Sequence, residues 1–171
     1  MNALFIDDYQ RFTPNKYRLF PCLLRLLRNH ELRYLFWMRL YQSSNRIVKF
    51  ICDFILWQYR RKYGIELPYQ LGSIGGGIRM VHPWCITVNG LAKLGKNVTL
   101  YKGCVIGAIE SGTKKGVPTI ANNVTLYANS MVCGNICIGN NVEIAAGAFV
   151  NFDVPDNSIV IGNPGIIHRK K

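Results

Sequence analysis

Ile120, Leu126, Val132, Ile138, Ile144 and Val150 recur at every sixth residue without a slip, and Leu94, Leu100 and Ile106 keep the same interval earlier in the chain. Three residues after nearly every one of them stands a residue that tolerates a left-handed backbone: Asn97, Gly103, Asn123, Asn129, Asn135, Asn141, Gly147 and Asp153. Neither a helix, which repeats near 3.6 residues, nor a plain strand, which repeats at 2, produces this interval. A short flat strand followed by a corner does. The aliphatic residue points inward, and Gly or Asn takes the corner, where positive φ is cheap. Three such hexads close a triangular coil, and stacked coils bury their faces on one another. The fold class predicted is mostly β: a left-handed parallel β-helix solenoid with an α-helical N-terminal cap. Gly95, Gly107, Ala121, Gly139 and Ala145 keep the position after the aliphatic small. Val98, Cys104, Val124, Ser130, Ile136, Val142 and Ala148 form a second inward row.

Residues 1–63 read as a helical region and 64–171 as the solenoid, with a tail from 163. Pro21 suits a first helical turn. A second helix is expected over roughly Glu31–Tyr41, a break at Ser43–Asn45, and a third over roughly Arg46–Lys62 that Gly64 terminates. The solenoid should begin after Pro68. Between Ile106 and Ile120 the phase jumps by two beyond two hexads, and the polar, Gly-rich segment 107–119 should project as a loop.

The chain has 171 residues, 49% of them hydrophobic, and a formal net charge of +12. It can bury a core, and its charge attracts anions. Many basic residues lie in the helical region, among them Arg25, Arg28, Arg46, Lys49, Arg60, Arg61 and Lys62. No zinc-finger or RNA-recognition spacing accompanies them, so nucleic acid is not expected as a partner. Contact of the basic, aromatic-rich helices with an anionic membrane surface is compatible with their role as a cap. The six cysteines form no CxxC pair and read as reduced thiols. His30, His82 and His168 lie far apart in sequence, and no metal is expected. Asp7 and Asp8 stand where a secretory signal would be apolar, and no apolar run reaches about 18 residues, so a cytoplasmic location is expected.

The hexads, the projecting loop and the ending Asp153-Val154-Pro155 and Gly162-Asn163-Pro164 resemble the left-handed β-helix acyltransferases. Within them the chain is similar to the serine acetyltransferase-like branch that includes capsular and exopolysaccharide O-acetyltransferases. The resemblance covers roughly residues 64–171. It implies a homotrimer with active sites in clefts between subunits, and an acetyl-CoA donor lying along the wall. It also implies a histidine base, matched by His82 in Arg79-Met80-Val81-His82-Pro83. A hydroxyl must lose its proton as it attacks a thioester, and an imidazole titrating near neutrality suits that task. Val81 stands where the serine enzymes carry an adjacent acid, and Glu66 matches the acid found upstream.

For the donor the resemblance points to Gly107, Ala108, Ala128 and Ala146 along the pantetheine arm, with Lys114, Arg169 and Lys170 toward the anionic nucleotide end. The loop departs from the serine enzymes. It ends Lys115-Gly116-Val117-Pro118, without the Arg and His that help bind an amino acid. That favours a carbohydrate acceptor, polysaccharide, sugar or nucleotide sugar, with Trp84 and Tyr101 as stacking faces. The leading expectation is therefore an O-acetyltransferase of polysaccharide biosynthesis. The alternatives are serine O-acetyltransferase of cysteine biosynthesis and a non-catalytic solenoid scaffold.

Overall fold

A computed structural model describes residues 2–13, 19–68 and 72–170 of the chain. The expected start of the solenoid directly after Pro68 falls on residues 69–71, outside the described ones. Four helices come first: α1 (Ala3–Gln10), α2 (Leu19–Arg28), α3 (His30–Ser43) and α4 (Arg46–Tyr63). Their ends follow from local chemistry. The side chains of Asn29 and Asn45 accept hydrogen bonds from Leu32 N–H and Val48 N–H, filling donors that the first turns of α3 and α4 leave orphaned. Gly64, at φ 65°, ends α4 in the left-handed conformation and returns its N–H to Arg60 O.

The rest is the left-handed parallel β-helix that the hexads predict. The first wall holds β1 (Arg79–Val81), β4 (Thr99–Tyr101), β7 (Thr125–Leu126), β10 (Glu143–Ile144) and β12 (Ser158–Ile161), closed by β13 (Ile166–Arg169). The second holds β2 (Thr87–Val88), β5 (Val105–Gly107), β8 (Met131–Cys133) and β11 (Phe149–Val150). The third holds β3 (Lys93–Leu94), β6 (Thr119–Ile120) and β9 (Cys137–Ile138). All pairings are parallel except β12–β13. Registry stacks the expected aliphatics. Met80, Leu100, Leu126, Ile144 and Val160 form one column, and Val88, Ile106, Val132 and Val150 another. All are buried, and each contributes roughly 1.5–3 kcal/mol of burial free energy.

Two coils depart from the regular length. Leu126 pairs with Ile144, 18 residues on, but Leu100 pairs with Leu126, 26 on. The step from Ile106 to Ile120 is thus one hexad with eight residues inserted, not two hexads with two. The inserted residues form the projecting loop at the corner between the second and third walls. In the first coil Met80 pairs with Leu100, 20 residues on. Cys85, Gly103, Asn129 and Gly147 all have positive φ at equivalent corner positions, which leaves His82-Pro83 as the two extra residues.

Positive φ occurs at six of the eight expected corner positions; Asn135 and Asp153 do not adopt it. Both lie at the loop corner. There Gly134 takes the positive φ, and Asn135 N–H donates to Lys114 O of the inserted loop.

The helices complete the open end of the solenoid. Strand β1 has no coil before it, so its outer backbone groups lack ladder partners. Side chains replace them. Ile78 N–H donates to Asp8 (2.9 Å), Met80 N–H donates to Glu31, and Arg39 donates to the carbonyls of Ile74 (2.9 Å) and Gly75 (2.6 Å). Arg39 and Asp8 form an ion pair at 2.8 Å, with side chains 1% and 0% exposed. Burial pushes the Asp8 carboxyl up, and Arg39 and the Ile78 N–H oppose that. Replacing either partner by Ala leaves a buried charge without compensation. Asp8→Ala and Arg39→Ala should each lower stability by about 3–5 kcal/mol, read as a shifted midpoint in urea unfolding. A change below about 1 kcal/mol in both would show that the pair does not hold the cap.

Candidate active site

His82 owes its position to the two-residue expansion of its corner. It is exposed, at φ 51°, and its carbonyl accepts from Trp84 N–H at 2.8 Å. A side chain other than glycine in this region stores backbone strain, of order 1–3 kcal/mol. Strand β4 braces the turn from the next coil: Lys102 N–H donates to Val81 O, and Gly103 N–H donates to Trp84 O.

His82 opens into a cavity of about 570 Å³ between the helices and the first coil. Arg28, Asn29, His30 and Glu31 line one side, and Arg79 to Trp84 the other. The His30 ring stacks on Tyr63 (5.1 Å), and Tyr63 meets Trp84 edge-on (5.0 Å), so Tyr63 links two rings of the cavity lining. Burial holds His30 below the usual histidine range, helped by Arg33 and Lys62. Glu31 was not singled out from the sequence. It sits in the first turn of α3, 8% exposed, and burial pushes its carboxyl up to about 7 against the Met80 N–H and Arg79. Its place two residues after Asn29, the N-cap of α3, is the mark of a helix start rather than of a site.

The expected site residues separate by corner. His82, Trp84, Ala128 and Ala146 share the corner between the first and second walls: Gly103 N–H bonds Trp84 O, Asn129 N–H bonds Lys102 O, and Gly147 N–H bonds Ala128 O. Tyr101 pairs in register with Val81, beside His82, and packs on Tyr127 at 5.1 Å. Gly107, Ala108 and Lys114 stand at the opposite edge of the second wall, where Gly134 N–H donates to Gly107 O. Arg169 is exposed on β13, and Lys170 is paired with Glu143 at 2.7 Å. Glu66 lies outside the His82 cavity. It lines a second one of about 390 Å³ with Tyr41, Leu67, Pro68, Val88 and Gly90, and pairs with Arg60 at 2.5 Å. Within one chain His82 thus meets Trp84 and Glu31 rather than Glu66.

Residues 118–151 match the family described as bacterial transferase hexapeptide (six repeats). A serine acetyltransferase of Synechococcus elongatus is 39% identical over 107 residues, which are 62% of this chain and 43% of that one. The serine acetyltransferase of Neisseria gonorrhoeae, solved in complex with serine, superposes with a TM-score of 0.73 at 24% identity, covering 96% of this chain and 67% of that one. A serine acetyltransferase solved in complex with CoA gives 0.70 at 22% identity, covering 96% and 68%. These two structures establish the fold. The chain spans about half the length of the curated relatives it matches.

The relatives overturn the carbohydrate acceptor and the role in polysaccharide biosynthesis, because they are serine acetyltransferases. That expectation rested on the missing Arg and His of the loop. The loop stands at a different corner from His82, and the His82 cavity carries its own cations, Arg28 and Arg79.

Glu31 also gives the cavity a measurable titration. Its folded pKa, about 7, lies above the ordinary 4.5, so the native state binds this proton more tightly than the unfolded chain. The resulting stabilisation is full below pH 4.5 and is lost as pH rises through 7. Wild type should lose about 3 kcal/mol between pH 4.5 and 8 relative to Glu31→Gln. Parallel stability curves for the two proteins over that range would contradict this.

Proposed function

We propose that this chain is an acetyl-CoA-dependent O-acetyltransferase of the serine acetyltransferase type, moving an acetyl group to the hydroxyl of L-serine with His82 as general base. The observation that carries this reading is a strained, solvent-facing histidine on an expanded corner, beside a wall whose relatives are serine acetyltransferases. The imidazole takes the hydroxyl proton as the oxygen attacks the thioester carbonyl, and the thiolate of CoA leaves and is protonated. The column of Ala128 and Ala146 running from His82 is small enough for a pantetheine arm to approach the backbone. Gly107, Ala108 and Lys114 lie one wall away, so a donor touching both sets lies where the His82 corner of one subunit meets the loop corner of the next. This supports a homotrimer. Lys170 is committed to Glu143, which leaves Arg169 and Lys114 as the freer cations for the nucleotide end. Glu66 is proposed as the upstream acid of the neighbouring cavity, held by Arg60.

Peripheral contact with an anionic membrane is part of this reading. Among the described residues no helix is long and apolar enough to cross a membrane. Helix α4 nevertheless presents Ile47, Phe50, Phe54 and Trp57, each 45–77% exposed, with Arg46, Lys49, Arg61 and Lys62 on the same helix. Each basic residue near an anionic surface contributes about 1 kcal/mol. Vesicles containing phosphatidylserine should bind the protein, phosphatidylcholine vesicles should not, and Phe50→Glu with Phe54→Glu should release it. Equal or absent binding to both vesicle types would sink the membrane contact.

The enzymatic test is thiol release from acetyl-CoA with L-serine. Wild type should turn over, and His82→Ala should lower kcat/KM by about 10²–10⁴-fold. No turnover together with no acetyl-CoA binding would leave a non-catalytic solenoid instead.

A further inference from the structure

Resting on the serine reading above, we infer that the acceptor's two charged groups are read by the His82 cavity itself, Glu31 taking the α-ammonium and Arg79, with Arg28, taking the α-carboxylate. An amino acid with a reacting hydroxyl needs three complementary groups: a cation, an anion and a base. The cavity of about 570 Å³ brings together Arg28 and Arg79, Glu31, and His82. Glu31 is fixed rather than free. One of its oxygens accepts the Met80 N–H, on the strand that ends one residue before His82, which ties the carboxylate to the segment that carries the base. Arg79 is the first residue of β1 and lies exposed, so its guanidinium is open to a ligand carboxylate in the bidentate manner. These residues supply from the helical cap and first coil what the loop, ending Lys115-Gly116-Val117-Pro118, lacks.

A site built on a buried polar partner rejects analogues that leave that partner unpaired. Three acceptors separate the terms: L-serine, L-glycerate (hydroxyl in place of the amine at the same configuration) and ethanolamine (no carboxylate). Wild type should prefer serine to each analogue by about 10²-fold or more in kcat/KM. Glu31→Gln should reduce the serine-to-glycerate preference to below about ten-fold. It keeps an oxygen for the Met80 N–H, so the strand stays clamped. Arg79→Gln, at an exposed position, should do the same to the serine-to-ethanolamine preference. The KM for acetyl-CoA should not move in either variant.

Selectivity for serine over glycerate should also rise with pH through 7 in wild type, as Glu31 ionises, and stay flat in Glu31→Gln. The charged and titratable groups around Glu31 are Arg28 on α2, His30 and Arg33 on α3, and Arg79 and His82 on the first coil. Comparing the two acceptors at each pH cancels effects on the proton-transfer step, which both share. If wild type acetylates serine but both variants keep its full selectivity, the inference is wrong and the serine activity stands. If wild type acetylates none of the three, the serine reading falls and the inference with it.

Discussion

The first coil of a solenoid has a neighbour on one side only, and this asymmetry is the constraint on which the rest of the molecule depends. Backbone groups on its open edge must find partners or be left in a dry interior at a cost of several kcal/mol. Here the helices supply them. Asp8 and Glu31 accept the Ile78 and Met80 amides, Arg39 donates to the Ile74 and Gly75 carbonyls, and Tyr34 Oη accepts the Leu67 amide. Arg39 and Asp8, both out of water, satisfy each other as well as the backbone. The apolar core runs without a break from Tyr34, Leu35 and Met38 of α3 into Met80, Leu100 and Leu126 of the wall.

The same edge creates the candidate site. Corners of regular length repeat from coil to coil because each packs on its neighbours, and the corner under the helices carries two more residues. His82-Pro83 are those two residues, and they line a cavity between corner and helices. Glu31 serves both purposes. It ties β1 to α3 through the Met80 amide and lines the cavity with a carboxyl that burial raises to about 7. Structural support and chemical environment are coupled through one side chain.

The wall and its inward rows were legible in the sequence because each inward residue repeats a local decision: aliphatic inside, Asn or Gly at the corner. The exceptions occur where tertiary contacts compete. Asn135 and Asp153 lie on the loop corner, and at Asn135 the inserted loop's Lys114 carbonyl takes the amide. The size of the insertion was misread because phase alone does not tell one hexad with eight extra residues from two with two. The acceptor was misread for a related reason. The missing loop residues are visible in the sequence, whereas the charged groups on α2, α3 and β1 that line the His82 cavity become neighbours only after folding.

Periodicity by itself determined the three-walled solenoid, its inward columns and the place of the projecting loop, since a six-residue beat has one compact solution. The family resemblance carried by those hexads pointed to His82 as the candidate base. Tertiary structure alone decided which groups face that histidine: Glu31, Arg28 and Arg79 meet it in one cavity, while Glu66 turns to Arg60 in another. The physical reason is that a repeat specifies contacts at a fixed separation along the chain. The cap meets the first coil across tens of residues, through buried hydrogen bonds that no local pattern encodes.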